Sequence, residues 1–213
     1  MSSTSRDRSE SARSDGAETK GELTRRAILD AAIERFGREG YRATSVADIT
    51  RDAGVGGTVA YAYFANKESL FLAALDEDAA AVINEGLSQF MEDPDPRSWR
   101  RTLIATLVDA LERHPLARRV LSGLEPAATD RVVDIPAMLE LRKAIVERLR
   151  NDQLAGMIRS DIDPAAIGNG SVTIIVSLLM SILQFGRSGV DVYGPDVFAV
   201  FEAALGTAPD ERT

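Results

Sequence analysis

Residues 45–64 read SVADITRDAGVGGTVAYAYF. Val46, Ile49 and Ala53 recur at helical spacing, and Thr44 or Ser45 can accept a hydrogen bond from the free N–H groups of a first turn. The stretch therefore opens with a helix of about two and a half turns. Gly54-Val55 breaks it within a few residues. The glycine supplies a positive φ or a close approach at the corner, and the valine plugs the core beneath. A second short helix with Tyr61, Tyr63 and Phe64 follows, and Asn66 caps a further one carrying Leu70, Phe71, Ala74 and Leu75. Two short helices joined by a tight glycine turn make a helix-turn-helix, which buries its first helix and presents the second to the major groove. An ordinary corner between helices would also contain a glycine and a small apolar residue. The cluster Tyr61-x-Tyr63-Phe64, followed by Asn66-Lys67-Glu68-Ser69-Leu70, tips the reading toward DNA.

The helical period extends outward from this stretch in both directions. Upstream, Ile28, Leu29, Ala32, Ile33 and Phe36 form one stripe, and Gly40 ends it. Downstream, Asp93-Pro94-Asp95-Pro96 interrupts the chain. Helices are then expected around Trp99 to Leu111, from Leu116 to Leu124, and from Pro136 through Leu154. Asp163-Pro164 opens a long apolar helix that stops near Gly186, and Gly194-Pro195 opens the last, with Val197, Phe198, Phe201 and Leu205. No run alternates apolar and polar residues between hairpin turns, so the fold is all-α. The expected organisation is a tail over 1–21, a three-helix unit over 22–82 containing the 45–64 motif, a larger helical domain over 83–206, and a short tail over 207–213.

Composition removes most other functions. The chain has 213 residues, no Cys and one His, so it has neither a thiolate nucleophile nor a metal motif needing two imidazoles. His114 has no partner at motif spacing, so no catalytic residue is named, no cofactor or metal is expected, and the chain is not read as an enzyme. The net charge of −8 resides wholly in 76–213, while 1–21 and 22–75 each balance to zero. Such a chain does not bind polyanions indiscriminately. Residues 1–21 hold six serines and almost nothing apolar, so they cannot offset their ordering entropy and read as disordered. The longest apolar run, Val172 to Phe185, has 14 residues, short of the roughly 20 a membrane span needs. No membrane partner is expected, and a cytoplasmic location is.

From 23 to 75 the chain resembles the tetracycline-repressor (TetR) family of bacterial transcriptional regulators. The matching segments are LTRRAILDAAIERFGREGY, ATSVADIT, AGV and YAYFANKESLF, with no insertion between Ala53-Gly54-Val55 and Tyr61-Ala62-Tyr63-Phe64. DIDPAAIGNG and the apolar helix after it resemble the family's C-terminal domains more loosely. The resemblance implies a three-helix DNA-binding domain followed by a helical effector-binding and dimerisation domain. It assigns Thr44 and Ser45 to a phosphate at the start of the second helix, and Tyr61 and Lys67 to the DNA backbone. Tyr63 stands equally between DNA and packing.

The recognition helix departs from the family pattern, since Gly56 and Gly57 stand where a serine cap and a polar or basic residue are usual. No charged side chain occurs from 54 to 66, so the bidentate contact of Arg or Lys to guanine is missing. Base reading falls to Thr58, Tyr61 and apolar contacts from Val59 or Ala60. Arg42, Arg51 and Lys67 flank the helix and can meet phosphates.

One such helix spans too few base pairs, so a homodimer is expected. Helices 164–186 and 195–205 are the expected interface, because the first is apolar on several faces: Ile167, Ile174 and Leu178, then Val172, Val176, Leu179 and Leu183. Burial of all these faces inside one large domain is the competing explanation. The resemblance further implies an unidentified small-molecule effector, with Trp99, His114, Met138, Met157, Met180 and Phe185 as candidate pocket residues. The expected function is thus a dimeric repressor released from its double-stranded operator by that effector. The alternative is a helical small-molecule-binding or scaffolding protein that has lost DNA binding.

Overall fold

A computed structural model describes residues 19–92, 95, 98–186 and 188–206, and all regular structure in them is helical. Helix α1 (Lys20–Glu39) starts inside the stretch expected as a tail. Thr19 and Glu22 form a reciprocal cap, in which the Glu22 N–H donates to the Thr19 hydroxyl and the Thr19 N–H to the Glu22 carboxylate at 2.7 Å. The expected tail therefore ends by residue 18, and 1–18 and 207–213 lie outside the described residues. Ile28, Leu29, Ala32 and Phe36 form the buried stripe of α1. Gly40, at φ 86°, stops the helix with its N–H on the Phe36 carbonyl.

Helix α2 (Val46–Asp52) is capped by Ser45 and buries Val46, Ile49 and Thr50. Gly54 takes φ +66° with nothing crowding it, so it serves the corner through backbone conformation rather than close approach. Val55 is half-buried against the core. Where a second short helix is expected there is only one 3-10 turn, Val59–Ala62, with no side-chain cap at Thr58. Two glycines ahead of it and no capping group leave little to nucleate a longer helix. Asn66 then caps α3 (Lys67–Glu92) by accepting from the Ser69 N–H at 2.8 Å.

Helix α3, about 39 Å long at 1.5 Å per residue, runs unbroken through the boundary expected at residue 82. It packs against α1, α4 (Trp99–Ala110), α5 (Pro115–Leu121) and α7 (Pro136–Leu154). Pro136 opens α7 in its first turn, as expected; α5 opens one residue before the expected Leu116, on Pro115, and ends at Leu121 instead of Leu124, with a short α6 (Pro126–Thr129) and a 3-10 turn (Asp130–Asp134) between the two. Of the Asp93–Pro96 interruption only Asp95 falls among the described residues.

Asp163 caps α8 (Pro164–Phe185) by accepting from the Ala165 N–H. At 22 residues and mean hydropathy 1.9, α8 has the length and composition to cross a membrane, beyond the 14-residue run that the sequence suggests. Yet Val172, Ile175, Leu178, Leu179 and Ile182 are buried in the bundle, as in the core helix of a globular fold. The last helix, α9 (Ser188–Leu205), corrects the expectation that Gly194-Pro195 opens it. Proline's fixed φ is helical, so Pro195 is accommodated within the helix with the loss of one backbone donor.

The apolar faces expected on α8 are covered in part by the chain itself. Val172, Leu178 and Leu179 are buried, and Ile167, Ile174, Val176 and Leu183 are half-buried, all within one chain. What α8 leaves bare is small and polar along its length (Ala166, Asn169, Gly170, Thr173 and Ser177), with Gln184 and the large apolar Phe185 exposed at its end.

Candidate nucleic-acid interface

The outward surface of the motif is made by the end of α2, the glycine corner, the 3-10 turn and the start of α3. Tyr61 projects furthest, at 56% exposed, with Gly56, Gly57, Thr58 and Ala62 exposed beside it and Val59 half-buried. The turn holds itself through Val59 N–H to Gly56 carbonyl and Tyr61 N–H to Thr58 carbonyl. Ala60 points inward, at 1% exposed, and its carbonyl receives the N–H groups of Tyr63 and Phe64. It is therefore core and cannot touch a base. Ala62, not singled out from the sequence, stands on the outer side instead. A 3-10 turn brings residues three apart onto one face, so 59 and 62 and not 60 share the outer side.

The polar side chains sort similarly. Thr44 is 2% exposed and donates its hydroxyl to the Gly40 carbonyl at 2.9 Å, so it closes the α1–α2 link and leaves the set of phosphate contacts. Ser45 is exposed, its oxygen accepting from Asp48 N–H while its hydroxyl donates to the Asp48 carboxylate. Tyr63 is half-buried with its hydroxyl near Gly21, and the neighbouring Phe64 is buried under the Arg25 guanidinium, 5.5 Å from the ring. Lys67 sits with its ammonium 4.4 Å from the Tyr41 ring, which fixes a flexible cation at the mouth of α3.

The motif is electrically balanced. Arg51 pairs with Asp48, and Arg35 with Asp52 at 2.6 Å. The Ser45 hydroxyl and the Arg51 guanidinium hold Asp48 below the usual carboxylate range, and Arg35 does so for Asp52. Both acids are thus ionised at neutral pH and offset the arginines of α1 and α2. Arg42 is exposed.

The second half holds a wholly apolar cavity of about 50 Å³ between α3, α5, α7 and α8. Its walls include Leu75, Ala79 and Val82 of α3, Ala117, Val120 and Leu121 of α5, Met138 and Leu141 of α7, and Ile175 and Leu179 of α8. Of the pocket residues expected from sequence, Met138 alone lines it. Trp99 is wholly buried edge-on to Phe90, Met180 is half-buried elsewhere on α8, and Met157 and Phe185 are exposed, the last at 71%.

His114 occupies the N-cap position of α5, but its side chain makes no capping bond and turns to α3 instead. Its Nδ1 lies 2.8 Å from Asp78 and its Nε2 3.1 Å from Glu85, two carboxylates seven residues apart on α3. The other oxygen of the buried Asp78 accepts the Leu116 and Ala117 N–H groups at the start of α5. Asp78, the acid of the Asp76-Glu77-Asp78 run that falls on the face of Leu75, Ala79 and Val82, was the available signal, since a buried carboxylate requires a partner.

Comparison with known proteins supplies the context for this geometry. The profile described as "Bacterial regulatory proteins, tetR family" matches residues 28–74, the span from the α1 stripe to the apolar face of α3. Over these residues the chain is similar to the DNA-binding segment of the tetR family. The proteins it resembles are described as transcriptional repressors and regulators. It is 26% identical over 148 residues to the transcriptional repressor AcnR of Corynebacterium diphtheriae, covering 68% of this chain and 73% of that one. Over 52 residues it is 48% identical to the transcriptional repressor ComR of Escherichia coli, a quarter of each chain. The fold matches a tetR-family regulator of Cytophaga hutchinsonii with a TM-score of 0.71, at 19% identity, over 91% of this chain and all of that one.

Proposed function

We propose that this protein is a dimeric tetR-family repressor that leaves its operator when an apolar small molecule enters the cavity behind α5. The observation that carries the proposal is the position of α5 between the two sites. One side of α5, through Ala117, Val120 and Leu121, forms cavity wall. The other side rests on α1, where the Pro115 backbone and ring approach Gly37 so closely that an added Cβ would lie 2.6 Å from the proline. Just beyond α5, Glu125 accepts both the Tyr41 N–H and the Arg119 guanidinium. A group that widens the cavity therefore pushes on a helix with no free space toward the DNA-binding unit. The ligand class follows from the walls, which offer no hydrogen-bonding group, so an uncharged hydrocarbon portion fits them.

In this reading Ser45, Tyr61, Lys67 and Arg42 meet phosphates, and Thr58, Val59 and Tyr61 face the bases. Two copies pair through α8 and α9, whose outer faces carry exposed Phe185 and Val200 beside the small residues of α8. Two heads in one dimer would read half-sites about 34–36 Å apart or a multiple of that. The test is a titration of purified protein against the duplex upstream of its own coding region at two salt concentrations. Lys67→Ala is expected to weaken binding and reduce the salt slope by about one. Binding without salt dependence would contradict the assignment of phosphate contacts.

A further inference from the structure

Gly56 and Gly57 stand where the fold asks for no glycine. Among the described residues the glycines at positive φ are Gly40, Gly54, Gly123, Gly156 and Gly186, so neither of these two needs a left-handed backbone. Neither is crowded. A Cβ on Gly57 would meet nothing within 4 Å, and one on Gly56 would make only an ordinary contact with Val59 at 3.5 Å. Gly37 shows the opposite case, with Pro115 filling the space a side chain would take. The pair also weakens its own element, since glycine is a poor helix former and only a single 3-10 turn follows. With no internal reason for two missing side chains, the reason lies on the outer side, where both are exposed.

That outer side is bare and uncharged. It comprises glycine backbone, the Thr58 side chain, the Tyr61 phenol and the Ala62 methyl, while the nearby Arg51 is paired with Asp48. We propose that Gly56 and Gly57 are specificity-determining residues. Their lack of Cβ lets the turn lie directly against base edges, and the reading is by van der Waals contact, chiefly with thymine methyl groups. The inference rests on the DNA-binding reading above. Guanine offers N7 and O6 to a paired donor such as Arg, which this turn lacks, whereas the thymine C5-methyl offers an apolar surface that suits bare backbone, methyl and phenol. The operator is then discriminated at A·T positions, and steric fit takes the part that charge takes elsewhere.

The experiment selects duplexes from a random library with the full-length protein. The enriched duplex is then prepared with deoxyuridine in place of thymidine, or with 7-deazaguanine in place of guanine. Loss of the thymine methyls is expected to lower affinity about tenfold, the effect of two or more methyl contacts, and 7-deazaguanine to change it less than about twofold. Gly57→Ala and Gly56→Ala are expected to melt no lower than the parent chain, yet to bind the selected duplex at least about tenfold more weakly. Unchanged binding by both variants, or sensitivity to 7-deazaguanine without sensitivity to deoxyuridine, overturns the proposal while leaving the regulator reading intact. A lower melting temperature in Gly57→Ala overturns it too, by showing that the fold does need the glycine. A selection that enriches no sequence overturns the regulator reading and this proposal together.

Discussion

His114 lies between two carboxylates, and only the protonated ring can donate to both, so the site favours the imidazolium. Burial, the largest single influence, pushes its pKa down. The hydrogen bonds to Asp78 and Glu85 together outweigh it and hold the group above its ordinary 6.5. A raised folded-state pKa contributes stability that is complete below the unfolded value and is lost as pH climbs through the folded one. Urea unfolding of the parent chain is therefore expected to show stability falling as pH rises above about 6.5, a decline that His114→Gln flattens. An unchanged profile in the variant would contradict the clamp. His114→Ala is expected to lose about 1–3 kcal/mol at pH 6, because Asp78 keeps the α5 N–H groups but loses its charged partner. The partner itself could not be read from the sequence, where His114 and Asp78 are 36 residues apart. Thr44 shows the same limit at short range. Its identity as a cap candidate is legible, but whether its hydroxyl faces solvent or the Gly40 carbonyl depends on how α1 and α2 meet.

Most elements were legible because their signals are local. The stripes of α1 and α3, the caps at Ser45, Asn66 and Asp163, and the first-turn proline of α7 all lie within a few residues of what they decide. Thr19 escaped notice because it ends a Ser-rich stretch in which a cap has no contrast, and α9 because a Gly-Pro pair ordinarily marks a start. The shortness of the recognition turn is a matter of energetics that the glycines foreshadow. Backbone amides of Val59, Tyr61 and Tyr63, held by single 3-10 bonds, are expected to exchange with deuterium faster than those of α1 in the free protein. Equal protection would contradict a weakly held turn. Helix α5 makes the converse prediction. Gly37→Ala on α1 is expected to cost about 1–3 kcal/mol in unfolding experiments, since the proline backbone it meets cannot yield as a side chain can. Enlarging the cavity wall with Ala117→Leu is expected to press α5 toward α1 and weaken DNA binding in the absence of any effector.

At the scale of the molecule, one apolar core runs from Ile28 in α1 to Leu205 in α9, and α3 belongs to both ends of it. A three-helix unit so continuous with the rest of the chain can sense the cavity without a hinge. The fold class and the helix-turn-helix were legible from pattern. The covering of α8 was not, because an apolar helix buried by its own chain and one buried by a second copy carry the same pattern. In the proposed dimer a second copy covers the exposed Phe185 and Val200, so a Phe185→Asp, Val200→Asp double variant is expected to sediment as a folded monomer. An unaltered dimer mass would place the interface elsewhere. The central claim is that an electrically balanced, glycine-rich reading head still recognises DNA. Its most direct test is the titration of the full-length protein against the duplex upstream of its own coding region, with unrelated duplex as competitor and ionic strength varied. The account predicts competitor-resistant binding that falls steeply with salt and weakens in Tyr61→Ala. Retention no stronger than for unrelated duplex, there and in every duplex recovered from random selection, would contradict it.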